Sequence, residues 1–577
     1  MSSNKFHDDI NIQTLTEFFS NKFSCDNGCN SMVISNAEQQ VTSKFNEMKG
    51  QVFGTCFSKE SVLKYIRKLK AGKAPGYDGI TPEHLKYSID TNVPLLLSEI
   101  FNTCVSYGVI PNSFKIGILL PLLKKSNLDS TQPGNFRPII LSSVISKLLE
   151  YAILNDVTSH TFCDLQYGFV EGCSTQMAIC NVNDIIRFFN AQGSPVYACS
   201  LDAEKAFDAI PHSVLLLKCS NVLAVHWWRL MYVWYTQLVA IVKWNNALST
   251  KFPLQKGTRQ GGLTSPFLFN IMYQDLIEGL SNVSGGMRIG CNSFNVFCYA
   301  DDLLLTSSTV TGLQSLIDFA NQYVTSHGLS FNASKSSTII FGKHYFYENP
   351  IWYVNNNAIV TKETIDYLGA ILSNDSNSHS KIRLKKCRQA FYSLQSAGMC
   401  NNSLDPFAIS YLWRAALQPV LSYANECFKF NVNTMSDFEK LQSKLVKTSL
   451  GLSKFLKSSP LLTALNVRRI SNVILTQNLK LYNSIMNRSS RVRNFYLQFL
   501  NVNDKNVKYG IAHRAYDICQ KYKYSFVKIT LDPDFCKQCC KKLKLMKPDG
   551  ISDSCKYLLK NPTIENVRIL KLLLKPF

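Results

Sequence analysis

The sequence is short of acidic residues: 40 Asp and Glu stand against 62 Lys and Arg, a net charge of +22. A field of that sign attracts polyanions and speeds their association, so nucleic acid is the expected partner. Membrane phospholipid is the competing polyanion, but an apolar leader is missing, since Met1 to Ile10 carries Asp8 and Asp9. A secretory route is therefore not expected. Long Gly/Ser or single-residue tracts are absent too, and hydrophobic residues at 46% with aromatics at 12% exclude disorder as the class. No internal repeat of fixed period is visible.

An uninterrupted membrane span is also lacking. Val222 to Val242 is apolar enough to resemble one, with Trp227, Trp228 and Trp234, but His226, Arg229 and Gln237 break it. The pattern predicts a buried helix followed by a strand from Val239 to Lys243. The nineteen cysteines are scattered without a disulfide framework and read as reduced thiols, many of them in cores. Near the C-terminus, Cys536-x-x-Cys539-Cys540 with Cys519 and Cys555 lacks a second close ligand pair, and no His follows His513. Reduced structural cysteines are expected there rather than zinc.

At 577 residues the chain exceeds one hydrophobic core, and three or four domains are expected. The first 45 residues read as a lead-in segment: a helix with Leu15, Phe18, Phe19 and Phe23, then a Cys/Asn/Gly-rich loop from Cys25 to Ser31. Ser58 fits an N-cap for a helix with Val62, Ile66 and Leu69 on one face, ending at Ala71-Gly72. Between about 80 and 345, helices alternate with short strands such as Val196 to Leu201, Asn295 to Tyr299 and Thr338 to Phe341. This is an α+β core. A helix from Thr311 to His327 ends with Gly328 at C′. Beyond about 375 the strand signal fades into basic helices, marked by Lys381, Arg383, Lys385, Lys386 and Arg388 and by the capping box Ser436-x-x-Glu439.

Tyr299-Ala300-Asp301-Asp302 sits between the apolar runs Val296-Phe297 and Leu303-Leu304-Leu305, which read as strands of a tight hairpin. Holding two carboxylates together is electrostatically costly unless divalent cations neutralise them, and hard oxygen ligands suit Mg²⁺. On its own such a turn reads as merely solvated. A further carboxylate, Asp202, ends the predicted strand Cys199-Ser200-Leu201 and precedes Lys205-Ala206-Phe207-Asp208. Nucleotidyl transfer by two metals needs bridging carboxylates, which Asp202, Asp301 and Asp302 would supply. The other reading of a strand-to-helix Asp is a helix cap, a role that suits Asp208 better than Asp202.

In this order the motifs resemble the reverse transcriptase of non-LTR, LINE-type retrotransposons, over roughly residues 50 to 450. Asp202 with Lys205-Ala206-Phe207-Asp208 matches the first palm motif, and Tyr299 to Asp302 the hairpin motif. Lys256-Gly257-Thr258-Arg259-Gln260-Gly261-Gly262-Leu263-Thr264-Ser265-Pro266 resembles the Gln-Gly motif, where glycines let backbone approach template and incoming nucleotide. Pro121 to Lys125 and Gly134 to Ile139 resemble fingers segments, implying that Lys124 and Arg137 approach the triphosphate. Without the resemblance both would read as surface cations. Ala74 to Ile80 and Gln166-Tyr167-Gly168-Phe169 also match, although Val170 stands where the family often has Arg. Gly328 to Lys335 implies a phosphate-facing Lys335, otherwise a solvated lysine, and Tyr367-Leu368-Gly369 resembles the primer-grip turn, otherwise a plain hairpin. Phe207 has the spacing of a ring that excludes a ribose 2′-hydroxyl, and it can pack in the core as well. By resemblance Asp301 is the firmer metal ligand, with Asp302 contributing charge.

The resemblance implies a right-hand polymerase: fingers over 46–190, a palm with an antiparallel sheet over 191–375, thumb-like helices over 376–460 and a basic helical region over 461–577. Two Mg²⁺, with Mn²⁺ as a substitute, are the implied cofactors. RNA template, DNA primer and deoxynucleoside triphosphates are the implied partners, with no membrane. Fewer than sixty residues precede the fingers, too few for the endonuclease that LINE-type proteins usually place there. A primer end is then expected from elsewhere, or the chain is a truncated copy. The competing reading is an inactive RNA-binding relic, against which the intact carboxylates count. No compact basic import run stands out, which leaves nucleus and cytoplasm open.

Overall fold

The apolar run that begins at Val196 becomes the strand Val196–Asp202, central to a six-stranded sheet in the computed structural model. The structure describes residues 10–25, 32–54, 57–125, 128–204, 206–259, 261–343, 349–399, 404–497 and 510–545. Val196, Tyr197, Ala198 and Cys199 are all buried, so this strand reads as a continuous apolar run rather than an alternation. Helices Thr175–Ala191 and Val310–Ser326 pack on it. Its neighbours, Asp302–Ser307 and Ser337–Phe341, both run antiparallel to it. Beyond them the sheet ends in Val296–Tyr299 on one side and in Asn357–Thr361 and Trp352–Val354 on the other. The expected antiparallel sheet departs in one pairing. Ser337–Phe341 is parallel to Asn357–Thr361, because the intervening chain, including Trp352–Val354, crosses back before the second strand begins.

A second sheet centres on Ile116–Leu123, antiparallel to Phe136–Leu141 and parallel to Val239–Trp244. The apolar stretch after Val222 is the helix Val225–Thr236 followed by that strand, as its pattern predicts. Trp228 and Trp234 are buried because each indole N–H has an acceptor, the carbonyls of Leu216 at 2.7 Å and Phe114 at 3.0 Å. Arg229 is buried among them and donates to the carbonyls of Gln51, Val105 and Ser106. Among the described residues no helix is long and apolar enough to cross a membrane. Val239–Trp244 belongs by number to 191–375, yet it hydrogen-bonds with a strand from 46–190.

The lead-in helix Ile12–Phe23, capped by Asn11, buries Leu15, Phe19 and Phe23 in the same core as both sheets. Trp244 Nε1 donates to the Ile10 carbonyl at 3.0 Å. Residues 26–31 of the loop after it lie outside the described residues.

After Ala370–Ser373 no further strand follows among the described residues, and the chain becomes helical. Phe391, Trp413, Leu417, Phe438 and Leu445 form a separate core. Ser436 is not an N-cap. The helix Val432–Ser449 starts a turn earlier because the Asn431 side chain accepts from Thr434 N–H at 2.8 Å, and Glu439 pairs instead with Arg469 at 3.8 Å. From Ile470–Met486 onward the helices return to the main core. There Asp184 accepts from Tyr496 Oη at 2.8 Å and Ile511 N–H at 2.6 Å, and it pairs with Arg514 at 3.3 Å. Cys519, Cys536, Cys539 and Cys540 are buried free thiols, and Cys555 lies outside the described residues.

His379 joins the last hairpin to this helical region. Its Nδ1 accepts from Ile371 N–H at 3.3 Å and its Nε2 meets the Tyr423 carbonyl at 3.0 Å. Because a backbone N–H only donates and a carbonyl only accepts, the ring is the neutral Nε2–H tautomer. Burial lowers its pKa from 6.5 to about 4, against the Tyr423 hydrogen bond and with help from Arg383 and Lys386. A depressed histidine pKa means that the unfolded chain takes up the proton first, so this contribution is complete above pH 6.5 and is lost as pH falls towards 4. The loss at pH 5 is about 2 kcal/mol. Denaturation of the parent and His379→Gln at pH 7 and pH 5 should show the parent losing more. Equal losses would exclude His379 as the source.

Candidate active site

Strands Val296–Tyr299 and Asp302–Ser307 pair Tyr299 with Asp302, which leaves Ala300 and Asp301 as a two-residue turn. Ala300 has φ of +55°, a conformation that favours glycine and costs an L-residue about 1–2 kcal/mol. Neighbouring backbone holds it there. Gln166, buried, accepts through Oε1 from Gly168 N–H at 2.8 Å and from Ala300 N–H at 3.0 Å. A Cβ on Gly168 would lie 2.3 Å from Ala300 N, so only glycine fits this approach. The Gln166-Tyr167-Gly168 motif is thus the cradle of the aspartate turn.

The ladder sets Asp302 directly opposite Asp202. Like charges in that position destabilise a sheet. The Asp302 carboxyl is pushed up to about 6, first by the protein packed around it, then by Asp301, Asp202 and Asp366. Asp301 is raised for the same first reason; its own backbone N–H and Arg137 pull the other way while Asp202 adds to the rise. Both side chains still reach solvent. Asp202 pairs with Lys335 at 3.7 Å, both being half exposed.

Among the described residues no group of three His, Cys, Asp or Glu side chains is arranged to hold a metal ion as it stands. The donor chemistry nevertheless fits one. Three carboxylates on adjoining strand ends are hard oxygen ligands, and a divalent cation would offset the repulsion that raises Asp301 and Asp302.

A cavity of about 520 Å³ gathers most of the other predicted residues: Lys124, Arg137, Phe207, Gly261 and Lys335 line it together with Asp301. Arg137 stands on the exposed face of Phe136–Leu141, opposite Leu122. Lys124 Nζ donates to the Gly134 carbonyl at 2.7 Å. Gly261 has φ of +122°, and a Cβ there would lie 2.6 Å from the Ile140 carbonyl, so the glycine loop lies against that strand. Gln260 and Lys205 fall outside the described residues. Phe207 both packs and lines the cavity: its ring stacks on Phe269 at 4.1 Å and stands edge-on to Phe169 at 6.1 Å. Leu368 and Gly369 do not line the cavity. They form a two-residue turn, both with positive φ, whose carbonyls accept from Tyr423 Oη at 2.7 Å and from Arg383. A larger cavity of about 690 Å³, lined by Lys440, Lys444 and Arg469, lies away from these residues in the helical region.

Sequence reasoning missed three groups. Glu150 is fully buried; it accepts from Arg259 Nη2 at 2.8 Å and from Thr264 N–H at 2.8 Å, and so ties both ends of the glycine loop to the helix Val144–Asp156. Arg259 also lies over the Trp234 ring at 4.3 Å. Lys22, from the lead-in helix, lines the cavity and donates to Asp208 at 2.6 Å. The basic count signalled none of these particular residues, because each pairing depends on a partner far along the chain.

A strand-end aspartate opposite an aspartate hairpin, beside a cavity lined with cations, defines the class. Residues 122–372 match the family model described as reverse transcriptase (RNA-dependent DNA polymerase), and the chain belongs to that family. It is 27% identical over 280 residues to the Pol polyprotein of the type-2 retrotransposable element R2DM of Drosophila melanogaster, covering 47% of this chain and 25% of that protein. It is 24% identical over 437 residues to the RNA-directed DNA polymerase from mobile element jockey of Drosophila funebris, covering 72% of this chain and 46% of the relative. The probable polymerase of the Drosophila melanogaster X-element is 24% identical over 331 residues, 55% of this chain and 35% of its own. Within the family, these relatives are non-LTR retrotransposon polymerases. The chain spans less than half the length of each of these three.

Proposed function

We propose that the chain is an RNA-directed DNA polymerase that extends a primer 3′-hydroxyl on an RNA template. What supports this above all is the register of Asp302 opposite Asp202, beside a cavity lined by Lys124, Arg137 and Lys335. On this reading the six-stranded sheet is the palm, the sheet around Ile116–Leu123 belongs to the fingers, and the helices after Ser378 begin the thumb. Asp202, Asp301 and Asp302 would hold two Mg²⁺, which when bound activate the attacking hydroxyl and neutralise the leaving pyrophosphate. Arg137 and Lys124 bind the triphosphate, Arg137 through its planar fork. Lys335 lies near enough to Asp202 to balance its charge and to meet a phosphate that approaches it. Phe207 closes the space beside the sugar and favours deoxynucleotides, and the Gly261 backbone beds the nucleotide. Leu368 and Gly369 support the primer.

Primer extension on an RNA template with deoxynucleotides and Mg²⁺ tests this. The parent should make product and Asp301→Asn should lose on the order of 10³-fold in rate. No product from the parent, or a variant as active as the parent, would overturn the assignment.

A further inference from the structure

The lead-in helix Ile12–Phe23 lies outside residues 122–372 yet reaches the nucleotide cavity. Its C-terminal end is stitched to the chain that leads into the glycine loop. Gln255 N–H donates to the Phe23 carbonyl at 3.0 Å, and Cys25 N–H donates to Gln255 Oε1 at 2.7 Å. Lys22 is thereby held with its ammonium 2.6 Å from Asp208 Oδ2, the two side chains being only 10% and 7% exposed.

Asp208 lies on the short helix Ala206–Ala209, which also carries Phe207. The Phe207 carbonyl is already fixed by Thr258 N–H at 2.8 Å, and Gly257 packs against the Asp208 backbone, where a Cβ would come within 2.8 Å. The Phe207 ring is sandwiched by Phe269 and Phe169. The Asp208 side chain is the remaining handle on this turn, and Lys22 grips it. A buried carboxylate without a cation partner would also oppose an incoming triphosphate in the same cavity.

Resting on the polymerase reading, we infer that Lys22 is a positioning residue for nucleotide selection. Through Asp208 it fixes the turn that carries Phe207, and it cancels the charge that Asp208 would otherwise present to the nucleotide. The N-terminal helix is then part of the nucleotide site.

Single-nucleotide addition by the full chain, with deoxy- and ribonucleoside triphosphates, separates this role from a merely structural one. Lys22→Met should raise the KM for the deoxynucleotide about tenfold with a much smaller change in kcat, and should narrow the preference over the ribonucleotide about tenfold. Affinity for primer–template should stay at the parental level. Lys22→Arg should keep parental discrimination, and Lys22→Met with Asp208→Asn should recover much of the KM because the unpaired carboxylate is gone. An active parent whose Lys22→Met twin keeps parental KM and discrimination, with only a lower melting temperature, overturns this inference alone. A parent without product overturns the polymerase reading, and this inference with it.

Discussion

Asp302→Asn is expected to abolish primer extension and yet, without divalent cations, to leave the chain more resistant to heat than the parent. Asp302 faces Asp202 across one ladder, with Asp301 beside it, and its carboxyl is pushed up to about 6. Asparagine keeps the shape and removes one of the opposed charges. Relieving a like-charge cross-strand pair contributes about 0.5–1 kcal/mol, which in a chain of this size is a rise of about 1–3 °C. Mg²⁺ should reverse the order. If the three carboxylates bind it, the parent gains about 1.4 kcal/mol at ten times its dissociation constant, and the variant gains less. Thermal scans with EDTA and with Mg²⁺, beside extension assays, read both effects. A variant less stable in EDTA, or an equal Mg²⁺ shift in both proteins, would count against the shared-cation account.

The hairpin, the strand ending at Asp202, the helix closed by Gly328 and the turn at Gly369 were legible because each is written in a few consecutive residues. Turn glycines and alternating apolar runs carry their own geometry. What was not legible depends on residues far apart. Glu150 and Arg259 are 109 positions apart, Gln166 and Ala300 134, and Lys22 and Asp208 186. A lone buried Glu on an apolar helix face gives no sign of which cation it meets, and Gln166 was readable as part of a motif but not as the group that holds the Ala300 turn. The misplaced cap at Ser436 has a local cause. Two capping signals five residues apart competed, and Asn431, followed by an amide it could accept from, won. The separate lead-in segment failed as a separate unit because Leu15, Phe19 and Phe23 find their partners in the main core.

The Glu150–Arg259 pair carries the other large expected effect. Both side chains are almost fully buried, at 0% and 3% exposure. Burying two charges is costly, so the pair as a whole adds little net stability, but removing one partner leaves the other uncompensated. Glu150→Ala should therefore destabilise the chain by about 3–5 kcal/mol, read by urea denaturation. Thr264 N–H and Oγ1 lose their acceptor in the same step. Glu150→Leu with Arg259→Met removes both charges and fills the space, so it should recover much of the loss and fall short of the parent by about 1–3 kcal/mol, the cost of the unpaired Thr264 donors. Stability and function should then part company. Gly261 and Gly262 lie between Arg259 and Thr264, so a double variant that regains its stability should still hold the glycine loop loosely and bind the incoming nucleotide more weakly. A double variant as unstable as Glu150→Ala would mean that shape, not charge, makes Glu150 indispensable. One with parental nucleotide affinity would mean that the loop needs no anchor on the helix Val144–Asp156.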